Sequence, residues 1–153
     1  MSRSIRYYDS HAAQFAEGTL GVDMSDLHRR FLAYVPARGL VLEAGCGAGR
    51  DSKAFLQAGF RVRAFDASAE LVRLAQAHSG HPVELRRFED VDERSCYDGI
   101  WACASLLHVP EADLPATLAR LWASLKPGGA LLIVNQGEDE HRAQHALCAE
   151  LGI

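Results

Sequence analysis

Apolar positions along the chain follow two periods. Residues 5–16 place Ile5, Tyr8, Ala12, Phe15 and Ala16 at the three-and-four spacing of a helix. Residues 26–34 do the same with Leu27, Phe31 and Tyr34, before Pro36 and Gly39 end the run. Leu40-Val41-Leu42 is a short unbroken apolar run, the habit of a strand buried on both faces. A helix is expected over 51–58, stopped by Gly59, then a strand over 60–65 closed by Asp66. Ser68 is placed to cap a helix whose buried side is Leu71, Val72, Leu74 and Ala75, with Gly80 and Pro82 breaking it. Residues 83–88 alternate and predict a third strand, and 97–103 a fourth. A helix follows over 111–125 with Leu114, Leu118, Leu121 and Trp122 inward. Pro127-Gly128-Gly129 then turns the chain into a fifth strand over 130–135, and a last helix is expected over 139–151.

Strands alternating with helices imply right-handed βαβ units and an α/β fold, a mostly parallel sheet with helices on both faces. Ligands in such sheets bind beyond the carboxyl ends of the strands, so chemistry is expected at the turns that follow them. The 153 residues carry no repeat or low-complexity tract and read as one domain over 1–153.

Composition narrows the function classes. Apolar residues make up 48% and charged residues 24%, and no run approaches the roughly 18 apolar residues of a membrane span. No charged-then-apolar leader opens the chain. The net charge of -4 argues against a nucleic-acid footprint and against an anionic membrane surface. Arginine supplies 14 of the 16 basic residues without forming a stripe. Cys46, Cys96, Cys103 and Cys148 form no CxxC pair and no zinc spacing, so they read as reduced thiols of a cytoplasmic protein, with no metal site.

The sharpest local signal is Leu42-Glu43-Ala44-Gly45-Cys46-Gly47-Ala48-Gly49-Arg50-Asp51, leaving a strand and entering a helix. Gly45, Gly47 and Gly49 permit positive φ and remove Cβ atoms that would block a ligand. Asp66 ends the next strand 21 residues after Gly45, where a carboxylate can accept both hydroxyls of an adenosine ribose. A dinucleotide turn needs a third glycine at position 50, which is Arg50 here, so a nicotinamide-dependent oxidoreductase is disfavoured.

The E-x-G-x-G-x-G spacing resembles motif I of the class I S-adenosylmethionine-dependent methyltransferases. The resemblance continues through Asp66, Phe88-Glu89-Asp90, residues 97–102, residues 104–110 and Leu125-Lys126-Pro127-Gly128-Gly129, covering about residues 5–135. Within the family the chain looks closest to small bacterial enzymes of the tellurite-resistance-like, small-molecule type. The resemblance implies a three-layer αβα Rossmann-like fold and S-adenosylmethionine as cofactor. It implies cofactor contacts from Glu43, Gly45, Cys46, Gly47, Gly49, Arg50, Asp66, Ala67, Phe88, Glu89 and Ala104. Methyl transfer from a sulfonium needs alignment and dryness more than a strong base. His108, beyond the fourth strand, is the candidate proton acceptor. The acceptor is expected to be a small molecule. The alternative is a truncated or regulatory S-adenosylmethionine-binding relative without catalysis.

Several roles stay open at this level. Glu43 can contact the cofactor or brace the loop, and Arg50 can reach the cofactor's carboxylate or pair beside Asp51. Asp51 is expected as a helix N-cap. Tyr8 and Phe15 fit helix packing or a substrate lid, and Trp101 and Trp122 are expected in the core. The family's sheet has seven strands, and this chain stops about 18 residues after the fifth. It is therefore expected to lack the last two, and a homodimer is expected to shield the edge left open.

Overall fold

The computed structural model describes residues 3–134; the expected helix over 139–151 lies outside them. Five helices and five strands follow one another: α1 (Arg3–Thr19), α2 (Ser25–Leu32), β1 (Leu40–Ala44), α3 (Arg50–Gln57), β2 (Arg61–Asp66), α4 (Ala69–Ser79), β3 (Glu84–Leu85), β4 (Tyr97–Cys103), α5 (Leu114–Ser124) and β5 (Leu125–Val134). All strand pairings are parallel, in the order β3-β2-β1-β4-β5. The order reverses at β1, so a crevice opens beyond its carboxyl end, between β1 and β4. The α/β fold read from the sequence is the fold observed.

Alternate residues of the central strands feed two cores. Leu42, Phe65, Tyr97 and Ile100 face Leu114, Leu118 and Leu121 of α5. Val41, Val62, Ala64 and Trp101 face Phe31 of α2, Phe55 of α3 and Val72 and Ala75 of α4. This alternation is what a two-layer cover of a parallel sheet requires. The α1 helix instead lies against α4. It bends at His11 (φ -120, ψ 16), where the ring Nδ1 bonds the Tyr7 carbonyl at 2.9 Å. Side-chain bonding to the preceding turn is a known cause of helix bending.

The structure corrects four expectations. The third strand, expected over 83–88, spans only Glu84–Leu85, at the sheet edge. Arg86 turns away to Glu93 (2.8 Å) and the Asp90 carbonyl, and Asp90 accepts from the Arg87 backbone at 2.9 Å. These bonds wind Phe88–Asp90 into a 3-10 turn instead of extending the ladder. Trp122 is 50% exposed, because it stands about 100° around α5 from the inward Leu121. Tyr34, expected on the buried face of the second helix, is 76% exposed, because α2 stops at Leu32. β5 starts earlier than expected. Tyr97 pairs with Leu125 and Gly99 with Ala130, so Lys126-Pro127-Gly128-Gly129 bulges out of the ladder. Trp101 is fully buried, as expected.

Candidate functional site

The β1 strand ends in a turn where backbone approaches other atoms closely. Gly45, Gly47 and Gly49 take φ of 78°, 55° and 88°, as their spacing predicts. The expectation that their missing side chains clear space for a ligand is corrected at two of them. A Cβ on Gly45 would fall 2.4 Å from Ser105 Cβ, and one on Gly49 3.0 Å from Ala75 Cα, so these positions make room for protein. A Cβ on Gly47 would meet the Phe15 ring of α1 at 2.9 Å, where the ring lies over the turn.

Four N–H groups of the turn are committed to protein oxygens. Gly45 and Cys46 donate to the Phe65 carbonyl (3.0 and 2.9 Å), Gly47 to Asp66 Oδ2 (2.9 Å) and Gly49 to the Cys46 carbonyl (3.1 Å). A pyrophosphate-binding turn keeps such donors for its ligand. This one therefore fits a nucleoside without a pyrophosphate.

Asp66 sits where β2 meets the turn. Its other oxygen accepts the Ser68 N–H at 2.9 Å, at the start of α4. Burial holds its carboxyl above the usual range against the pull of these N–H donors. Ser68 caps α4 as the sequence predicts, accepting from Leu71, and donates its own hydroxyl to Asp9 of α1 at 2.6 Å. The turn is thus tied to β2, to α4 and, through Asp9, to α1.

Beneath the turn, Glu43 is 2% exposed and accepts a hydrogen bond from Ser52 of α3. Burial, then the nearby Asp51 charge, raises its carboxyl well above the ordinary value. Its observed bond is that of a brace between β1 and α3. Asp51 is not the expected N-cap, since Gly49 occupies that position. It is a buried anion that accepts from His28, Arg50 and Trp101. Arg50 therefore pairs with Asp51, while it also borders the crevice. Burial pushes the Cys46 thiol well up, so it lines the turn as an unionised group.

The crevice encloses about 890 Å³. One end holds Ala67, Phe88 and Glu89. Phe88 stands edge-on to Phe65 at 5.5 Å, and Glu89 pairs with Arg87 at 3.4 Å on the exposed rim. At the other end the chain leaves β4 through Ala104, a non-glycine residue at φ 54°. Ser105 donates to the Ala44 carbonyl at 2.7 Å and so fastens this bend to β1. Nothing in the sequence marked Ala104 for that conformation, which is uncommon for alanine.

The roof is α1. Tyr8 Oη lies 2.7 Å from His108 Nε2, a contact across 100 residues of chain. The Tyr8 ring also stands edge-on to Phe15, with centroids 5.1 Å apart. Burial, then the Asp66 charge, raises the Tyr8 phenol, so it keeps its proton. With imidazole neutral and protonated at Nδ1, the phenol donates to Nε2. The structure thus brings the sequence-derived site residues to the rim or walls of one crevice, except Gly49, which backs onto Ala75 of α4 and does not line it. Sequence reasoning missed Asp9, His28 and Ser105, since each acts through a contact distant in the chain. No group of three His, Cys, Asp or Glu that could hold a metal occurs among the described residues. None of their helices is long and apolar enough to cross a membrane.

A family model described as a methyltransferase domain matches residues 41–129, more than half of the chain. The chain belongs to the class I S-adenosylmethionine-dependent methyltransferase family. This methyltransferase domain is 37% identical over 106 residues to a ubiquinone biosynthesis O-methyltransferase of Xanthomonas axonopodis pv. citri, covering 64% of this chain and 43% of the relative. It is 40% identical over 109 residues to a malonyl-[acyl-carrier protein] O-methyltransferase of Pectobacterium atrosepticum, covering 67% of this chain and 41% of the relative. The chain spans less than half the length of these two relatives. Among solved structures it resembles Burkholderia thailandensis 1,6-didemethyltoxoflavin-N1-methyltransferase, crystallised with its acceptor and S-adenosylhomocysteine. The TM-score there is 0.67 at 27% identity, over 86% of this chain and 59% of that one. The comparisons bear out the family and leave the narrower tellurite-resistance-like closeness without support.

Proposed function

We propose that this methyltransferase domain transfers a methyl group from S-adenosylmethionine to a small-molecule acceptor. The observation that carries the reading is the glycine turn with its donors committed inward, beside Asp66, at the sheet's switch point. The Burkholderia structure with its bound product supports it, as do the O-methyltransferase relatives.

In this reading Asp66 has lone pairs left on both oxygens, and these take the ribose hydroxyls. Ala67, Phe88 and Glu89 receive the adenine, while backbone at Gly45, Cys46 and Gly47 and the bend at Ala104 line the sulfur end. Glu43 supports the turn from below, and Arg50 faces the cofactor's carboxylate. When bound, the cofactor supplies a methyl group on a sulfonium, already a good leaving group. Tyr8 and Phe15 exclude water over the site. His108 Nε2 can take a proton from the acceptor once Tyr8 gives up its bond.

The same proposal covers the setting of the protein. The chain acts as one domain, in the cytoplasm, without nucleic acid. β5 has no neighbour on its outer side among the described residues, and a homodimer through that edge is part of the reading. Light scattering over a concentration series tests the dimer, and a monomer throughout removes it. Calorimetric titration with S-adenosylhomocysteine and with NAD tests the site, and tighter NAD binding overturns it. Release of S-adenosylhomocysteine during acceptor turnover separates an enzyme from the non-catalytic alternative.

A further inference from the structure

At the crevice wall, the nearly buried Asp51 gathers donors from three separate elements. It accepts from His28 Nε2 of α2 at 2.6 Å and from Trp101 Nε1 of β4 at 3.0 Å. It also accepts from Arg50 Nε and Nη2 at 3.0 and 3.1 Å. The side chains of Asp51 and His28 are 6% and 11% exposed. The His28 ring is wedged against Phe55 and Trp101, with centroids 5.0 and 5.1 Å away. Burial pushes the Asp51 carboxyl up, but the donors from His28 and Arg50 outweigh it, so the group stays ionised.

The Asp51 fork occupies one side of the Arg50 guanidinium, the Nε–Nη2 side. Of the three remaining N–H groups, one on each Nη lies along the Nη1–Nη2 edge. Their partners there are weak: the Thr19 carbonyl at 3.3 Å and Cys103 Sγ at 3.8 Å. Arg50, Thr19 and Cys103 all border the crevice. A guanidinium has five N–H donors in a rigid fork and can serve two carboxylates at once on different edges.

We propose that Asp51 and His28 are positioning residues that lock the Arg50 guanidinium so that its Nη1–Nη2 edge receives a carboxylate in the crevice. Neither residue touches that carboxylate. The proposal rests on the functional reading above, in which the carboxylate is the amino-acid end of the methyl donor. His28 sits on a helix that otherwise only covers the sheet, and its ring is the one donor that Asp51 takes from α2. Without it, Asp51 loses its shortest hydrogen bond and the Arg50 fork loses its fixed partner.

The test compares two ligands on the full chain: S-adenosylhomocysteine, which carries the carboxylate, and 5′-methylthioadenosine, which keeps the nucleoside and lacks it. Both are titrated calorimetrically. Arg50→Lys is expected to weaken S-adenosylhomocysteine about tenfold or more, the scale of a lost charge-assisted hydrogen bond, and methylthioadenosine less than about twofold. His28→Leu is expected to weaken S-adenosylhomocysteine about three- to tenfold with methylthioadenosine unchanged. His28→Gln, which keeps a donor for Asp51, is expected to restore most of the difference. A purely structural role for His28 would lower both affinities by the same factor, and that result overturns the proposal. So does unchanged S-adenosylhomocysteine binding in folded His28→Leu. Wild-type protein that binds neither ligand overturns the functional reading and this inference with it. A wild-type preference for S-adenosylhomocysteine that persists in both variants overturns this inference alone.

Discussion

The crevice has a floor and a roof that are built differently. The floor is the glycine turn and the end of β2, whose partners come from neighbouring residues or the adjacent strand: Gly49 bonds Cys46, Asp66 bonds Ser68, and Gly45 and Cys46 bond Phe65. The roof is the first half of α1, held by Tyr8 on His108 and by Asp9 on Ser68, contacts across 100 and 59 residues. Adjacent residues of one helix thus grip opposite rims. The floor is rigid because its donors are satisfied within it. The roof is held by side-chain contacts, Tyr8 on His108 and Asp9 on Ser68 and the Glu70 N–H, and by the packing of Tyr8 and Phe15. Substitutions in the floor should therefore cost more binding than substitutions in the roof.

Gly47→Val strikes where floor and roof meet. It puts a β-branched side chain at φ 55° and into the Phe15 ring. The expected loss is over a hundredfold in S-adenosylhomocysteine affinity, roughly 3 kcal/mol or more, with the core and melting cooperativity retained. Near-normal calorimetric affinity would show that α1 lifts away at little cost.

Asp66→Ala follows. It removes the carboxylate proposed for the ribose and frees the Gly47 and Ser68 N–H groups. About 2–4 kcal/mol of binding free energy should disappear, since charge-assisted hydrogen bonds contribute ~1.5–3 kcal/mol each and do not add fully. A folded variant with unchanged affinity would remove Asp66 from the cofactor site.

Tyr8→Phe acts on the roof alone. It keeps the ring packing on Phe15 and deletes the hydroxyl bonded to His108. Loss of about 0.5–1.5 kcal/mol should appear as a several-fold faster dissociation of S-adenosylhomocysteine in stopped flow. An unchanged rate would mean that packing, not the hydrogen bond, holds the roof.

Glu43→Gln should change ligand affinity least and the pH dependence of stability most. The folded state raises the Glu43 carboxyl well above its ordinary 4.5. The unfolded chain therefore releases this proton at lower pH than the folded chain does. Wild-type stability falls as pH rises from 4.5 toward the raised value, because the folded state holds the extra proton. The amide of the variant cannot titrate, so the variant gains on the wild type across that window. Parallel denaturation profiles for the two proteins would show that Glu43 ionises normally.

The order of elements, the parallel sheet and the floor of the site were legible because each rests on local chemistry. Strands buried on both faces read as apolar runs, Ser68 reads as a cap, and a strand–glycine–helix turn followed by Asp66 reads as a nucleoside site. Where a local pattern competed with a distant partner, the partner won. The alternation over 83–88 gave way to the pairing of Arg86 with Glu93, and Asp51 gave up capping for His28, Arg50 and Trp101. Trp122, one step around α5 from the fully buried Leu121, was expected inside and stands half exposed.

The sequence by itself determined the alternation of strands and helices and which carboxylate stands beside the glycine turn. These follow from side-chain alternation, backbone permissiveness and spacing along a few residues. Only the tertiary structure decided that the strand order reverses at β1, what the glycines make room for, that α1 closes over the crevice, and that His28 reaches Asp51. Each of these is a meeting of segments that no local pattern links, set by how the helices pack on a twisted sheet.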